Sequence, residues 1–124
     1  MNQKAISIRS FIGAENFEIS KKFYKDFGFD ENVLSHNMSY FYKNGCGFYL
    51  QDAYVRDWIH NSMIFLEVEN IEAYWNELIA LDLQVKYETV KLVPIKNEAW
   101  GKEFFVHDPS GVLWHIGTFN KALL

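Results

Sequence analysis

The sequence predicts an α+β fold made of two βαβββ modules, and three observations carry that expectation. The triplets Asn16-Phe17-Glu18 and Asn70-Ile71-Glu72 lie 54 positions apart. Each offers a helix N-cap followed by an acid in the first turn, where the helix dipole favours an anion, so one strand-to-helix junction occurs twice. Asn44-Gly45, set between two runs of alternating apolar residues, is a strong two-residue hairpin signal. The run Asp108-Pro109-Ser110-Gly111 is a second turn: Pro109 presets φ, Asp108 can accept from the backbone ahead of it, and Gly111 supplies a conformation other residues resist.

Taken in order, Ala5 to Phe11 reads as the first strand, with Ala5, Ile6 and Ile8 leading into Phe11 and Ile12. A helix capped by Asn16 runs to about Phe27, with Ile19, Phe23 and Phe27 on one face, Tyr24 widening it, and Gly28 placed for a left-handed cap. Three short strands follow, near Asn32 to Ser35, Ser39 to Lys43 and Gly47 to Gln51, and Asp52 to Asn61 is the linker. The plan then repeats. Met63 to Val68 is a strand, and Ile71, Tyr74, Trp75, Leu78 and Ile79 fit the i, i+3, i+4, i+7, i+8 template of an amphipathic helix. Gln84 to Thr89 is assigned to a strand and Val90 to Ala99, containing Pro94, to a loop. The closing hairpin joins Glu103–His107 to a strand from Val112 to Gly117. The modules span about 5–52 and 62–118 of a single domain covering residues 1–124.

Composition narrows the functional classes. With 49% hydrophobic and 18% aromatic residues, 124 residues can bury one sizeable core. The net charge of −4 and scattered basic residues argue against nucleic-acid binding. No apolar run approaches the roughly 20 residues that span a bilayer, and no long apolar segment follows Lys4, so a cytoplasmic location is expected. Cys46, the single cysteine, excludes an intrachain disulfide and reads as a small filler between Gly45 and Gly47.

Several motifs together carry a family resemblance. The hairpin opened by Trp100-Gly101 and closed by Asp108-Pro109-x-Gly111 resembles the last hairpin of the glyoxalase, bleomycin-resistance and extradiol dioxygenase proteins, the vicinal oxygen chelate superfamily. The helix end Phe-Tyr-x-x-Phe-Gly-Phe at 23–29, Asn44-Gly45 and Pro94 stand in an order most similar to bleomycin-resistance proteins. The resemblance implies that the modules form curved half-barrel sheets around a cleft. It implies no particular activity, because fold does not carry function with it.

In metal-dependent members of that superfamily, His and Glu ligands converge from the first and last strands of the modules. Seven residues before each Asn cap stand Arg9 and Met63; four after Gly111 stands His115; the matching place in the first module is Leu50 or Tyr49. Only His115 ligates well, and a guanidinium at position 9 would repel a cation, so no metal and no cofactor are expected. His36 and His60 fall in loops, and a local bond to Asp108 is the plain reading of His107. His115, with a reference pKa near 6.5, could change charge near neutral pH.

Two main readings follow. The first is a metal-free small-molecule-binding protein of the bleomycin-resistance type, sequestering an aromatic or cationic organic ligand in the cleft of a homodimer. Its ligand-binding residues would be Arg9, Tyr40, Tyr42, Tyr49, Trp58, Trp100 and His115, with aromatic faces supplying stacking and cation–π attraction. The second is an enzyme of the same superfamily, metal-dependent or assisted by His115. A dimeric scaffold without a ligand is a third reading.

Overall fold

A computed structural model describes residues 1–123. The first half contains β1 (Phe11–Gly13), α1 (Phe17–Asp26), β2 (Asp30–Ser35), β3 (Met38–Lys43) and β4 (Cys46–Gln51); α2 (Arg56–His60) bridges the halves. The second contains β5 (Met63–Glu67), α3 (Ile71–Ala80), α4 (Leu83–Lys86), β6 (Lys91–Glu98), β7 (Gly101–His107) and β8 (Leu113–Phe119). Two four-stranded sheets result, ordered β1-β4-β3-β2 and β5-β8-β7-β6. In each the first strand pairs parallel with the last and the remaining pairs are antiparallel, so the βαβββ plan is realised twice.

The local signals act as their chemistry requires. Asn16 and Asn70 accept from the backbone N–H of Ile19 and Ala73. Gly28, at φ 104°, ends α1 in a Schellman motif, with Phe29 N–H donating to the Tyr24 carbonyl and Gly28 N–H to that of Lys25. Asn44 and Gly45 both take positive φ, as a type I′ hairpin demands.

Four expectations are corrected. The first strand begins at Phe11 rather than Ala5, and Ile6 and Ile8 lie outside any strand and exposed. With Phe11 opposite Tyr49 in a parallel ladder, Arg9 faces Gly47, and residues further back pass the Asn44-Gly45 turn, where β4 no longer offers a partner. The segment assigned to a strand at 84–89 holds the short helix α4, entered through Asp82 at φ 53° and anchored by fully buried Leu83. The supposed loop around Pro94 is β6, an edge strand whose register shifts between Val93 and Lys96, the kind of place that tolerates a residue without an N–H. Two helix faces are also narrower than their periodicity suggests: Ile19 and Ile79 are exposed, and the buried place beside Phe23 goes to Ser20.

The helices cover one side of the sheets, and a continuous core runs between the halves. Trp114 of β8 packs against Tyr24, Phe27, Phe29 and Phe48 of the first half, at centroid separations of 5.3–5.8 Å. Its indole N–H donates to the Tyr24 hydroxyl, which donates to Asp108 Oδ2 at 2.5 Å. Asp108 Oδ1 accepts the N–H groups of Ser110, Gly111 and Val112, so one carboxylate closes the turn and ties it to α1. Burial pushes the Asp108 carboxyl above its ordinary pKa, against these hydrogen bonds. Among the described residues no helix is long and apolar enough to cross a membrane.

Candidate functional site

Side chains alternate across a strand, so helices packed on one side leave each sheet a helix-free face. In the first sheet that face carries Phe11, Tyr49, Tyr40 and Tyr42. Their rings form a continuous ladder: Phe11 stacks on Tyr49 at 4.7 Å, Tyr49 meets Tyr40 at 5.4 Å, and Tyr40 stacks on Tyr42 at 5.6 Å. Arg9 lies across it, its guanidinium carbon 4.3 Å from the Tyr40 centroid and Nη1 donating to the Tyr49 hydroxyl at 3.0 Å. That hydrogen bond raises the Arg9 pKa further, so the charge is permanent. Gly47 makes the arrangement possible: a Cβ there would stand 2.2 Å from the Tyr40 hydroxyl oxygen.

The helix-free face of the second sheet is built on the same plan with other side chains. Phe65 lies over Gly117, where a Cβ would come within 2.6 Å of the ring, and it meets Trp100 at 5.9 Å and Phe119 at 5.5 Å. His115 stacks with Phe65 at 6.4 Å and meets Phe105 edge-on at 5.0 Å. Its Nδ1 is 2.9 Å from Oε1 of Glu103, a carboxylate buried on the same face. With Nδ1–H donating to Glu103, Nε2 is left as an acceptor that becomes a donor on protonation. His107, also on this face, makes no bond to Asp108; burial and then Lys91 lower its pKa.

The residues expected at a site thus fall into groups. Arg9, Tyr40, Tyr42 and Tyr49 come together on the first face, His115 and Trp100 around Phe65 on the second. Trp58, on α2, is 74% exposed and packs with neither group. Phe11, Phe65, Phe105 and Glu103 complete the two faces and were not anticipated as site residues. Residue parity could have found them, since 103, 105 and 115 point to one side once the 108–111 turn fixes the hairpin register.

A groove of about 310 Å³ runs between β4 and β5, touching both faces through Gly47 and Phe65, with Ser10, Cys46 and Trp114 also in its walls. A larger hollow of about 600 Å³ lies elsewhere, between the start of α1 and the segment after α4, where Lys22 and Lys86 alternate with Glu15 and Glu88. Tyr87 lines it, and none of the residues of the two open faces does.

The donor set does not fit a catalytic divalent ion. Arg9 is cationic, Met63 offers a thioether, Leu50 is buried on the helix side while Tyr49 takes the open face, and His115 commits Nδ1 to Glu103. Among the described residues no three of His, Cys, Asp and Glu gather in one place. The arrangement is suited to stacking, to hydrogen bonding through tyrosine hydroxyls, and to proton exchange at His115.

No family model matches the sequence, and no curated protein matches it. Solved structures do match. The bleomycin-binding protein of bleomycin-producing Streptomyces verticillus, complexed with copper(II)-bleomycin, aligns with a TM-score of 0.80 at 17% identity over 96% of this chain and 99% of that one. The bleomycin resistance determinant encoded on transposon Tn5 aligns with a TM-score of 0.78 at 11% identity, over 93% and 99% of the two chains. Lactoylglutathione lyase from Agrobacterium tumefaciens aligns with a TM-score of 0.67 at 12% identity, over 93% and 95%. Paired βαβββ modules and these alignments agree: the chain has the fold of these bleomycin-binding, bleomycin-resistance and lactoylglutathione lyase structures.

Proposed function

We propose that the protein is a metal-free small-molecule-binding protein of the bleomycin-resistance type, sequestering an aromatic or cationic organic ligand in the cytoplasm, in a cleft shared by two copies of the chain. One observation carries the reading: both sheets keep a helix-free face paved with rings, including Phe11 at 58%, Phe65 at 43% and Tyr42 at 38% exposure. Apolar surface of this kind has no reason to stay in water unless something covers it. A groove of about 310 Å³ within one chain stands at the lower limit for a small organic ligand. Apposing the tyrosine face of one copy to the phenylalanine face of another would enlarge it and bury both edges.

The test is sedimentation followed by titration. A dimer is expected at micromolar concentration, and a 14.6 kDa monomer would remove the shared cleft. Planar organic compounds should quench Trp100, whereas Trp75, packed on Phe104 at 5.0 Å, should stay silent. Trp100→Leu should weaken binding by about two- to twelvefold, whereas Trp58→Leu, away from both faces, should leave it unchanged. No heat and no fluorescence change with any compound up to millimolar concentration would sink sequestration.

The His115–Glu103 pair favours a second reading, an enzyme in which His115 exchanges a proton with its substrate. A carboxylate that fixes the tautomer of an imidazole is a familiar element of acid–base catalysis. Chemical change of a bound compound that stops in Glu103→Gln would select it; recovery of the compound unaltered selects sequestration.

A further inference from the structure

The ligand class can be narrowed at Arg9, on the premise that the open faces bind an organic molecule as proposed above. Net charge of −4 favours a cationic guest only as an average over the whole chain. Screening limits each charge to about 8–10 Å at ordinary ionic strength, so the groups beside the rings decide. On the tyrosine face the nearest such group is a guanidinium. The ion pairs among the described residues join Lys21 to Glu18, Lys25 to Glu31, Lys96 to Glu98, Lys102 to Glu72 and His115 to Glu103. Arg9 is in none of them. It spends one of its five N–H donors on Tyr49 and presents the rest to solvent.

The position of Arg9 is also built rather than incidental. Continuing the β1–β4 register places it opposite Gly47, and the missing side chain at Gly47 leaves the space above the sheet to the Tyr40 ring, on which the guanidinium rests. Beside it Phe11 is 58% exposed and stacked on Tyr49. Asp30 stands opposite Tyr42 on the edge strand away from Phe11 and makes no ion pair with Arg9 among the described residues, so the ring surface beside the guanidinium on the Phe11 side is free of carboxylates there.

We propose that the tyrosine face binds a planar aromatic acid, with the oxyanion held by the outward N–H groups of Arg9 and the aromatic ring laid on Phe11. A planar fork of donors matches a carboxylate in two parallel hydrogen bonds and also accepts a phosphate ester. Tyrosine hydroxyls flank the acid and fix its distance from the ring.

The experiment compares four probes that share one ring system: 2-naphthoate, 2-naphthyl phosphate, 2-naphthamide and 2-naphthylmethylammonium. Calorimetry on the wild type should show both acids binding about tenfold or more tighter than the amide, and the ammonium weakest. Arg9→Gln should abolish the preference and leave the amide within about twofold of its original affinity, while Arg9→Lys retains part of it. Phe11→Leu should weaken all four together, by about two- to twelvefold. The carboxylate and phosphate arms separate the two sources of oxyanion, and either one binding through Arg9 supports the assignment. An amide that binds as well as the acids, an ammonium that binds best, or acids indifferent to Arg9→Gln would overturn the acid assignment while aromatic sequestration stands. If no naphthyl probe binds a protein whose circular dichroism is native, both fall.

Discussion

The two sheets have one backbone and two characters. Both run edge strand, last strand, third strand, second strand in module order, and both use a glycine, Gly47 or Gly117, to seat an aromatic ring flat against the sheet. On the first, tyrosines surround a permanent cation; on the second, phenylalanines surround a histidine joined to a carboxylate. The repeated topology therefore supplies two equivalent platforms, and a handful of outward positions gives one an arginine laid over tyrosines and the other a histidine–glutamate pair among phenylalanines. The helix sides contrast with this divergence, because there the halves are fused through Trp114, Tyr24 and Asp108 and have no independence to lose.

That contrast can be broken most severely at Asp108. Asp108→Ala would strand the backbone N–H groups of Ser110 and Val112 and leave the buried Tyr24 hydroxyl without its acceptor, whereas Gly111 N–H keeps the residue 108 carbonyl, and a loss of about 3–5 kcal/mol is expected. Calorimetry should show one cooperative transition at a lower temperature. Two separated transitions would mean that the halves are autonomous.

A smaller effect should distinguish the glycines. At Gly117 an added Cβ meets the Phe65 ring at 2.6 Å and the Lys102 carbonyl at 3.2 Å, so a side chain and the backbone must both yield. Gly117→Ala is expected to cost about 1–3 kcal/mol in urea unfolding. At Gly47 the three closest atoms all belong to the Tyr40 side chain, which can swing away, and Gly47→Ala should cost under about 1 kcal/mol while dislodging Arg9 from its ring. Equal costs would show that Tyr40 is as firmly held as Phe65.

The smallest effect concerns pH. His107 stands on the second face with a pKa lowered by burial and by Lys91. Its unfolded form therefore binds a proton more readily than its folded form. Stability tied to it is present above the unfolded value near 6.5 and is lost as pH falls through the lower folded value. His107→Gln should flatten the decline in stability below pH 6.5, as read from unfolding at a series of pH values. An unchanged slope would assign the decline to other groups.

The features legible in the sequence were those whose cause is local. Caps, turn glycines and hairpin dipeptides act on residues within four or five positions, so Asn16, Gly28, Asn44-Gly45 and the 108–111 turn could be placed without knowing their surroundings. Alternation then put Tyr40, Tyr42 and Tyr49 on one side of a sheet. Glu103 escaped notice because its importance lies in a neighbour on the adjacent strand.

By itself, then, the sequence determined the paired βαβββ plan, the turns at Asn44-Gly45 and 108–111, and Tyr40, Tyr42 and Tyr49 as candidates for one site. Tertiary structure decided what depends on distant partners. It made a strand of the Pro94 segment because β7 offers a ladder whose edge needs no donor from proline, and it coiled residues 83–86 because the core takes Leu83. It began the first strand only at Phe11, and left Arg9 to settle over Tyr40, 31 positions along the chain. The physical reason is the range of the interactions. A turn or cap is stabilised by its own few residues, whereas strand pairing, burial and a cation–π contact gain free energy only when chain folding brings remote segments together.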